Sequence, residues 1–168
     1  EKLPLLPTSF GFSIDLSGLQ TIKNASMLLF MVLRRYGFSL EQCADVLAHI
    51  GQKNMRWHSK SWQVVVVDQI IQLGEFPSKK VEFEGTVKEW NEQFSPKVSA
   101  TLELGESVVV RNWKPGDRLE YTMGKHKKVS DFLPTKGIYG LEKDGAMVVE
   151  WSGKLVEILG IWTHPNWR

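Results

Sequence analysis

Disulfide bonds and long apolar runs are both missing from this sequence of 168 residues. Its single cysteine, Cys43, cannot form an internal disulfide, which favours a reducing compartment such as the cytoplasm. The longest uninterrupted apolar run, residues 27–33, has seven residues, whereas a membrane-spanning helix needs about 20. The first residues also lack the pattern of a secretory signal peptide. These absences predict a folded, soluble, cytoplasmic protein with no membrane partner. Because residue 1 is Glu rather than Met, we expect a processed chain or a piece of a longer protein.

Motifs for nucleotide and metal chemistry are missing as well. Gly124-Lys125 is not preceded by the first glycine of a Walker loop, and no Gly-x-Gly-x-x-Gly pattern follows a predicted strand. The four histidines are scattered without the spacing of metal ligands. Cys43 lies in a predicted amphipathic helix, where cysteines are usually inert core residues. The sequence therefore predicts no catalytic residue, no metal site and no cofactor in this chain itself.

The hydrophobic pattern divides the chain into a helical part and a strand-rich part. Residues 18–50 predict a helical hairpin, in which Ser39 and Gln42 form a capping box and the second helix buries residues 40, 43, 44, 47 and 50. A β-hairpin follows, with Trp57 and Trp62 beside its turn and the valine run 64–67 as a buried strand. Further strands are predicted at residues 81–90, 98–104, 107–111, 119–121, 147–151 and 155–159, with one short helix at 127–133.

These elements predict an α+β fold with two domains. Residues 1–77 are expected to form a small helical domain with a β-hairpin. Residues 78–168 are expected to form a β-rich α+β domain of short strands with one short helix.

Charge is distributed unevenly in the second part of the chain. The net charge of the whole sequence is +2, but residues 82–106 carry −4 and residues 111–136 carry +4. Such asymmetry indicates a basic face directed at an anionic partner. The alternative is that these charges only coat solvent-facing loops, because mixed-sign surfaces are common.

The basic stretch has two local features that fit a phosphate. The turn Pro115-Gly116-Asp117-Arg118 projects Arg118, and Gly124 precedes three lysines and a predicted helix start, where unpaired N–H groups favour an anion. Trp113 and Tyr121 could stack on bases beside these cations. The alternative is that both aromatic residues belong to the core and the lysines are merely solvated.

An ordered set of motifs in this stretch resembles a known family. The set comprises Arg111, the Pro-Gly-Asp-Arg turn at 115–118, Gly124, Lys127-Lys128 and Asp131-Phe132. Together they resemble the C-terminal domain signature of tRNA(Ile)-lysidine synthetases. The helical hairpin followed by Arg56-Trp57 and the valine run is similar, more loosely, to the middle, substrate-recognition domain of that family.

The resemblance implies a role in tRNA modification. Members of the family use ATP to join lysine to the wobble cytidine of isoleucine tRNA, in an N-terminal PP-loop domain with a Ser-Gly-Gly-x-Asp-Ser motif. This sequence lacks that motif. The resemblance therefore implies that the chain is the tRNA-recognition portion of a larger ligase. ATP and magnesium would belong to the parent enzyme, and the partners would be the acceptor-stem side of the tRNA and the absent catalytic domain. A homodimer is left open.

The expected tRNA contacts lie in the basic stretch. Arg118, Lys125, Lys127 and Lys128 are the candidate phosphate ligands, Arg111 and Lys114 support them, and Asp117 is expected to fix the turn or orient Arg118. A second hypothesis is a protein-interaction module that binds its partner through exposed tryptophans, without nucleic acid.

Overall fold

The computed structural model describes residues 5–167, except for the side chain of Gln20. The chain has two compact units: one comprises the described residues up to Lys79 together with Tyr139–Glu142, and the other comprises the remaining described residues. Both units combine antiparallel sheets with short helices, so the predicted α+β class is confirmed. No helix in this part of the chain is long and apolar enough to cross a membrane.

The first unit is a five-stranded antiparallel sheet covered by two helices. Its strands are β1 (Leu6–Thr8), β2 (Gly11–Asp15), β3 (Lys53–His58), β4 (Trp62–Val67) and β5 (Ile70–Glu75), in the order β1-β2-β5-β4-β3. The helices are α1 (Ala25–Leu33) and α2 (Leu40–Ala48), with single 3-10 turns at Leu19–Thr21 and Arg34–Tyr36. The predicted hairpin β3-β4 is therefore one part of a larger sheet.

The helical hairpin forms as the sequence predicts. Ser39 accepts the backbone N–H of Gln42, and the Gln42 side chain accepts the backbone N–H of Ser39, which confirms the capping box. Cys43 is buried, but Leu40 and Ala44 are exposed, so their predicted burial is wrong. Val46 takes the core position instead, because α2 starts at Leu40 and turns residues 43 and 46 toward the sheet.

One face of this sheet carries the core of the first unit. Leu29 and Leu33 of α1 and Cys43 and Val46 of α2 pack against β2, β4 and β5; the fully buried partners there are Ile14, Val64, Val66, Ile71 and Leu73. The valine run thus forms a buried strand, as predicted.

The second unit contains a five-stranded antiparallel sheet and a separate β-hairpin. The sheet order is β12-β11-β10-β7-β6, with β6 (Glu82–Thr86), β7 (Ser107–Asn112), β10 (Met147–Trp151), β11 (Lys154–Ile158) and β12 (Trp162–Thr163). The hairpin pairs β8 (Arg118–Thr122) with β9 (Lys125–Lys128). Two short helices, α3 (Val87–Gln93) and α4 (Val129–Thr135), and a 3-10 turn (Pro165–Trp167) also lie in this unit. A further short helix, α5 (Gly140–Gly145), begins in the residues of the first unit and ends in those of the second.

Two strands predicted for this region are wrong in part or in whole. The strand at 81–90 ends at Thr86, where a second capping box joins Thr86 to Glu89 and starts α3. The strand at 98–104 is irregular. Its backbone is held by the buried Glu157 carboxylate, which accepts hydrogen bonds from the N–H groups of Ser99 and Ala100 and from Ser99 Oγ.

Each face of the second sheet has its own core. On one face, Val87 and Trp90 of α3 pack with Val108, Val110 and Val149. On the other, Val129, Phe132 and Leu133 of α4 pack with Leu119, Val148 and Ile158. The predicted buried positions of the helix near residue 130 are confirmed, although α4 starts at Val129 and contains Pro134. The β8-β9 hairpin therefore lies on the α4 side of the sheet.

Candidate nucleic-acid interface

The β8-β9 hairpin separates the basic side chains of the predicted site onto two faces. Arg118 pairs with Lys128 and Glu120 with His126, so these four residues share one face. Leu119 pairs with Lys127 on the opposite face, where Leu119 is fully buried and Lys127 is half-buried. Arg118 and Lys128 thus form a pair of exposed cations, and Lys127 does not share their face.

The predicted helix start next to Gly124 is wrong. Gly124 lies in the turn of the hairpin with a φ of 73°, a conformation that favours glycine, and Lys125–Lys128 form β9. Helix α4 begins only at Val129. The expected phosphate site at a helix N-terminus is therefore absent from this place, and the exposed Lys125 sits beside the hairpin turn instead.

The carboxylate of Glu120 holds the turn of the β8-β9 hairpin in place. Glu120 Oε1 accepts the backbone N–H of Gly124 at 2.6 Å, and Glu120 Oε2 lies 3.6 Å from Nε2 of the buried His164. His164 Nδ1 in turn lies 3.1 Å from the backbone nitrogen of Asn166, whose N–H it accepts. The hydrogen bond from Gly124 is the main reason that the pKa of Glu120 lies below its usual value. The turn is thus tied to the body of the unit.

Arg111 is buried in an ion pair rather than exposed. Its Nη1 and Nη2 contact Oδ2 and Oδ1 of Asp117 at 2.8 and 3.0 Å, and Nη2 also lies 3.2 Å from Oε2 of Glu150. The side chain of Arg111 is only 11% exposed. These hydrogen bonds raise the pKa of Arg111, so the guanidinium stays charged and is neutralised inside the unit.

Asp117 fixes the turn of the Pro-Gly-Asp-Arg motif, which is the first of the two roles predicted for it. Its Oδ2 accepts the backbone N–H of Lys114 at 2.8 Å, and its backbone oxygen accepts the N–H of Val129. Burial disfavours the charged carboxylate, but the hydrogen bonds from Arg111 and Lys114 outweigh it and hold the pKa of Asp117 below its usual value. The side chain is directed at Arg111, and the neighbouring Arg118 and Lys114 are left exposed.

Of the two aromatic residues expected to stack, Tyr121 is exposed and Trp113 is partly buried. Trp113 donates its Nε1 hydrogen bond to the backbone oxygen of Lys143 and packs against the α4 core, and the Lys143 ammonium lies over its ring. Tyr121 is 37% exposed on β8. Trp113 thus makes structural contacts, and stacking on a base stays a prediction for it.

A second basic surface, not predicted from the sequence, lies in the first unit. Ser59 Oγ donates to the backbone oxygen of Tyr36 at 2.7 Å, so the turn that carries Lys60 lies beside the 3-10 turn that carries Arg34 and Arg35. All three cations are exposed, and Arg35 lies over the Tyr36 ring. The adjacent dipeptide Arg34-Arg35 was the available signal. We call Arg34, Arg35 and Lys60 the first-unit basic edge.

The cations named at these two places are unpaired within the described part of the chain. No described carboxylate lies within ion-pair distance of the side chains of Arg34, Arg35, Lys60, Lys114, Arg118, Lys125, Lys127 or Lys128. Residues 5–167 also contain no group of three His, Cys, Asp or Glu side chains arranged to hold a metal ion. Both places therefore present positive charge that no neighbouring described carboxylate neutralises.

Comparison with known proteins finds a similarity within the first unit. Residues 8–69 match the family model described as the TilS substrate binding domain. The match runs from the end of β1 through α1, α2, β3 and β4 and includes the first-unit basic edge. No curated protein matches the chain. Residues 8–69 are thus similar to the TilS substrate binding domain, which bears out the predicted resemblance to the tRNA(Ile)-lysidine synthetases.

Proposed function

We propose that this chain is the tRNA-binding portion of a tRNA(Ile)-lysidine synthetase. The observation that carries the proposal is the match of residues 8–69 to the TilS substrate binding domain. The substrate of that family is a tRNA, and a tRNA presents a dense array of phosphates to any protein that binds it. A binding surface for it needs exposed cations that are not neutralised by neighbouring carboxylates.

The two units offer such cations in two places. We assign phosphate contacts to the first-unit basic edge and to Lys114, Arg118, Lys125 and Lys128 around the hairpin. Lys127 is a further candidate from the other face of the hairpin. Arg111 supports the turn that carries Lys114 and Arg118, because its own charge is already paired with Asp117 and Glu150. Phosphate contacts of this kind give affinity, whereas base contacts give identity.

The reaction itself belongs, in our proposal, to a PP-loop domain of the parent enzyme. There ATP and magnesium would serve to join lysine to the wobble cytidine of isoleucine tRNA, in the cytoplasm. This chain would hold the acceptor-stem side of the same tRNA. It would not catalyse by itself, because its sequence contains no Ser-Gly-Gly-x-Asp-Ser motif.

The test is a binding titration of the chain with unmodified isoleucine tRNA and with an unrelated tRNA, across a range of salt concentrations. The variant Arg118→Ala/Lys128→Ala removes the exposed cation pair of the hairpin. Each lost phosphate contact should make the log–log salt dependence shallower by about 0.7–0.9, so we expect a change of about 1.5 and weaker binding at low salt.

Lys88 provides the matched control for this variant. It is an exposed lysine on α3, which packs on the opposite face of the sheet from the hairpin. Lys88→Ala should leave both affinity and salt dependence unchanged. If the chain binds neither tRNA at low salt, or if the two variants behave alike, the proposal is wrong.

The burial of the tryptophans argues against the alternative function, a protein-interaction module. It required exposed tryptophans, yet Trp90 and Trp162 are buried and the other five are only half-exposed. Several of them are engaged in hydrogen bonds or ring contacts, such as Trp57 with Asp45 and Trp151 with Trp167. We therefore favour the tRNA-binding function.

A further inference from the structure

The end of the β8-β9 hairpin carries apolar side chains that phosphate binding does not explain. We call Tyr121, Thr122, Met123 and Gly124 the hairpin tip. Met123 is 84% exposed, more than any other large hydrophobic side chain in the described part of the chain, and Tyr121 is 37% exposed. Tyr121 lies in β8 and Met123 in the turn that joins β8 to β9, and the other exposed residues of this hairpin include the cations Arg118, Lys125 and Lys128. An exposed aromatic ring and an exposed methionine beside unpaired cations are a candidate contact for a partner that presents both flat apolar faces and negative charge.

The hairpin tip is held in one conformation. Gly124 takes a positive φ, which closes the turn after Met123, and its N–H is bound by the Glu120 carboxylate at 2.6 Å. Glu120 is also held beside the buried His164. A fixed turn keeps Met123 projecting into solvent at little conformational cost on binding, which is how a binding element gains affinity.

A β-bulge directs Tyr121 away from the regular ladder. Glu120 pairs with His126 and Thr122 with Lys125, so Tyr121 is the extra residue of β8 with no partner on β9. Bulges of this kind re-aim a side chain and are common beside functional sites. The bulge and the turn together place an aromatic ring and a methionine at the end of a basic ribbon.

The chemistry of the hairpin tip fits a nucleobase rather than a phosphate. A phosphate group needs cations or N–H donors, whereas an aromatic ring and an apolar wedge pack on the flat face of a base. The bases inside an A-form RNA helix are stacked, and its deep major groove is closed to side chains. Accessible base faces occur at helix ends and in unpaired nucleotides.

We propose that the hairpin tip stacks on an unpaired or terminal base of the bound RNA, while Arg118 and Lys128 hold the adjoining phosphates. The inference rests on the proposed function and deepens it, because it names the feature of the RNA that this part of the protein contacts. It predicts that the protein binds RNA ends and overhangs in preference to the interior of a duplex.

Two RNA probes test the inference with the full chain. One is a short duplex with a 3′ single-stranded overhang whose first base is 2-aminopurine. The other is the same duplex closed at both ends by non-nucleotide linkers, so that it has neither an unpaired nucleotide nor a free end. We expect the overhang probe to bind about ten-fold more tightly, since stacking of one base on an aromatic side chain has an effect of this order. The 2-aminopurine fluorescence should change on binding.

Three variants assign the effect to the hairpin tip. Tyr121→Ala/Met123→Ala should abolish the preference for the overhang and the fluorescence change, while thermal unfolding reports whether the variant is folded. Tyr121→Phe keeps the ring and should retain both. Leu104→Ala removes an apolar side chain that is also well exposed, at 59%, but lies in the acidic segment, and it should have no effect.

The outcomes separate this inference from the proposed function. If both probes bind equally, or if Tyr121→Ala/Met123→Ala keeps the preference, the hairpin tip does not stack on a base and the inference is wrong, whereas tRNA binding itself stands. If neither probe nor isoleucine tRNA binds, the proposed function fails and the inference fails with it.

Discussion

Arg111 and Asp117 form a two-pronged ion pair across the start of the Pro-Gly-Asp-Arg turn, with nitrogen–oxygen distances of 2.8 and 3.0 Å. The same Asp117 carboxylate accepts the N–H of Lys114, and Glu150 adds a third carboxylate–guanidinium contact. The pair therefore links strand β7 to the turn that precedes Arg118. From the sequence, Arg111, Lys114 and Arg118 all resemble phosphate ligands. In the structure, Arg111 is buried and fixes the turn that carries the other two.

Asp117→Asn should destabilise the protein. The substitution keeps an acceptor for the N–H of Lys114 but leaves the buried Arg111 facing only Glu150. Because a buried charge that loses its partner is costly, we expect a loss of about 2–3 kcal/mol in the free energy of unfolding, measured by urea denaturation. Glu150→Gln leaves the Arg111–Asp117 pair intact and should cost less. Equal losses for the two variants would contradict the assignment of Asp117 as the main partner.

The same ion pair should make stability depend on pH in the acid range. The pKa of Asp117 is lower in the folded protein than its usual value near 3.8, so the folded state prefers the charged carboxylate. The stabilisation is fully present above this usual value and is lost as the pH falls through the lower, folded-state pKa. In Asp117→Asn this contribution is absent, so the stability difference between the two proteins should shrink below about pH 4. If the stability difference between the two proteins stays constant down to pH 2, the charged Asp117 carboxylate does not stabilise the folded state.

The first-unit basic edge should contribute to tRNA binding independently of the hairpin. Arg34→Ala/Arg35→Ala removes two exposed cations at the end of α1 without disturbing the buried Leu33. We expect weaker binding of isoleucine tRNA and a salt dependence shallower by about 1.5, because two phosphate contacts are lost. Gel-shift or fluorescence titration measures both, with Lys88→Ala as the control. An unchanged salt dependence would exclude this edge from the interface.

Cys43 should be unreactive in the folded protein. Its side chain is fully buried between the helices and the sheet of the first unit, and burial raises the pKa of its thiol to about 11. Only the thiolate reacts readily with disulfide reagents, so native protein near pH 8 should react far more slowly than urea-unfolded protein. Thiol titration with and without urea measures the ratio. Rapid labelling of the native protein would show that α2 opens easily.

Sequence patterns correctly predicted those helices and strands whose formation is determined by residues close together in the chain. The capping box at Ser39 and Gln42 and the run of valines at 64–67 each determine structure within a few positions, and both were predicted correctly. The same kind of signal was available for α3, since Thr86 and Glu89 have the spacing of a capping box. The start of α3 was not predicted because Phe83 and other apolar residues suggested that the strand beginning at residue 81 continues to residue 90.

The geometry of the basic stretch could not be predicted in the same way. Lys125 to Lys128 have little preference for strands, and they form β9 because the turn at Gly124 pairs them with β8. The contact of Arg111 with Glu150 joins residues that lie 39 positions apart in the sequence and come together only in the sheet. The bulge at Tyr121 likewise depends on the register of two strands. These contacts and this strand register exist only after the sheet has formed, so a local sequence pattern does not predict them.

The hydrogen bonds between Glu157 and the segment at Ser99 and Ala100 have a consequence for the order of folding. The segment has no strand partner, and the carboxylate that binds its N–H groups lies 58 positions after Ser99 in the chain. The backbone of Ser99 and Ala100 can therefore become ordered only after β11 has joined the sheet. Amide hydrogens at these two residues should gain protection late during refolding, after those of β7 and β10.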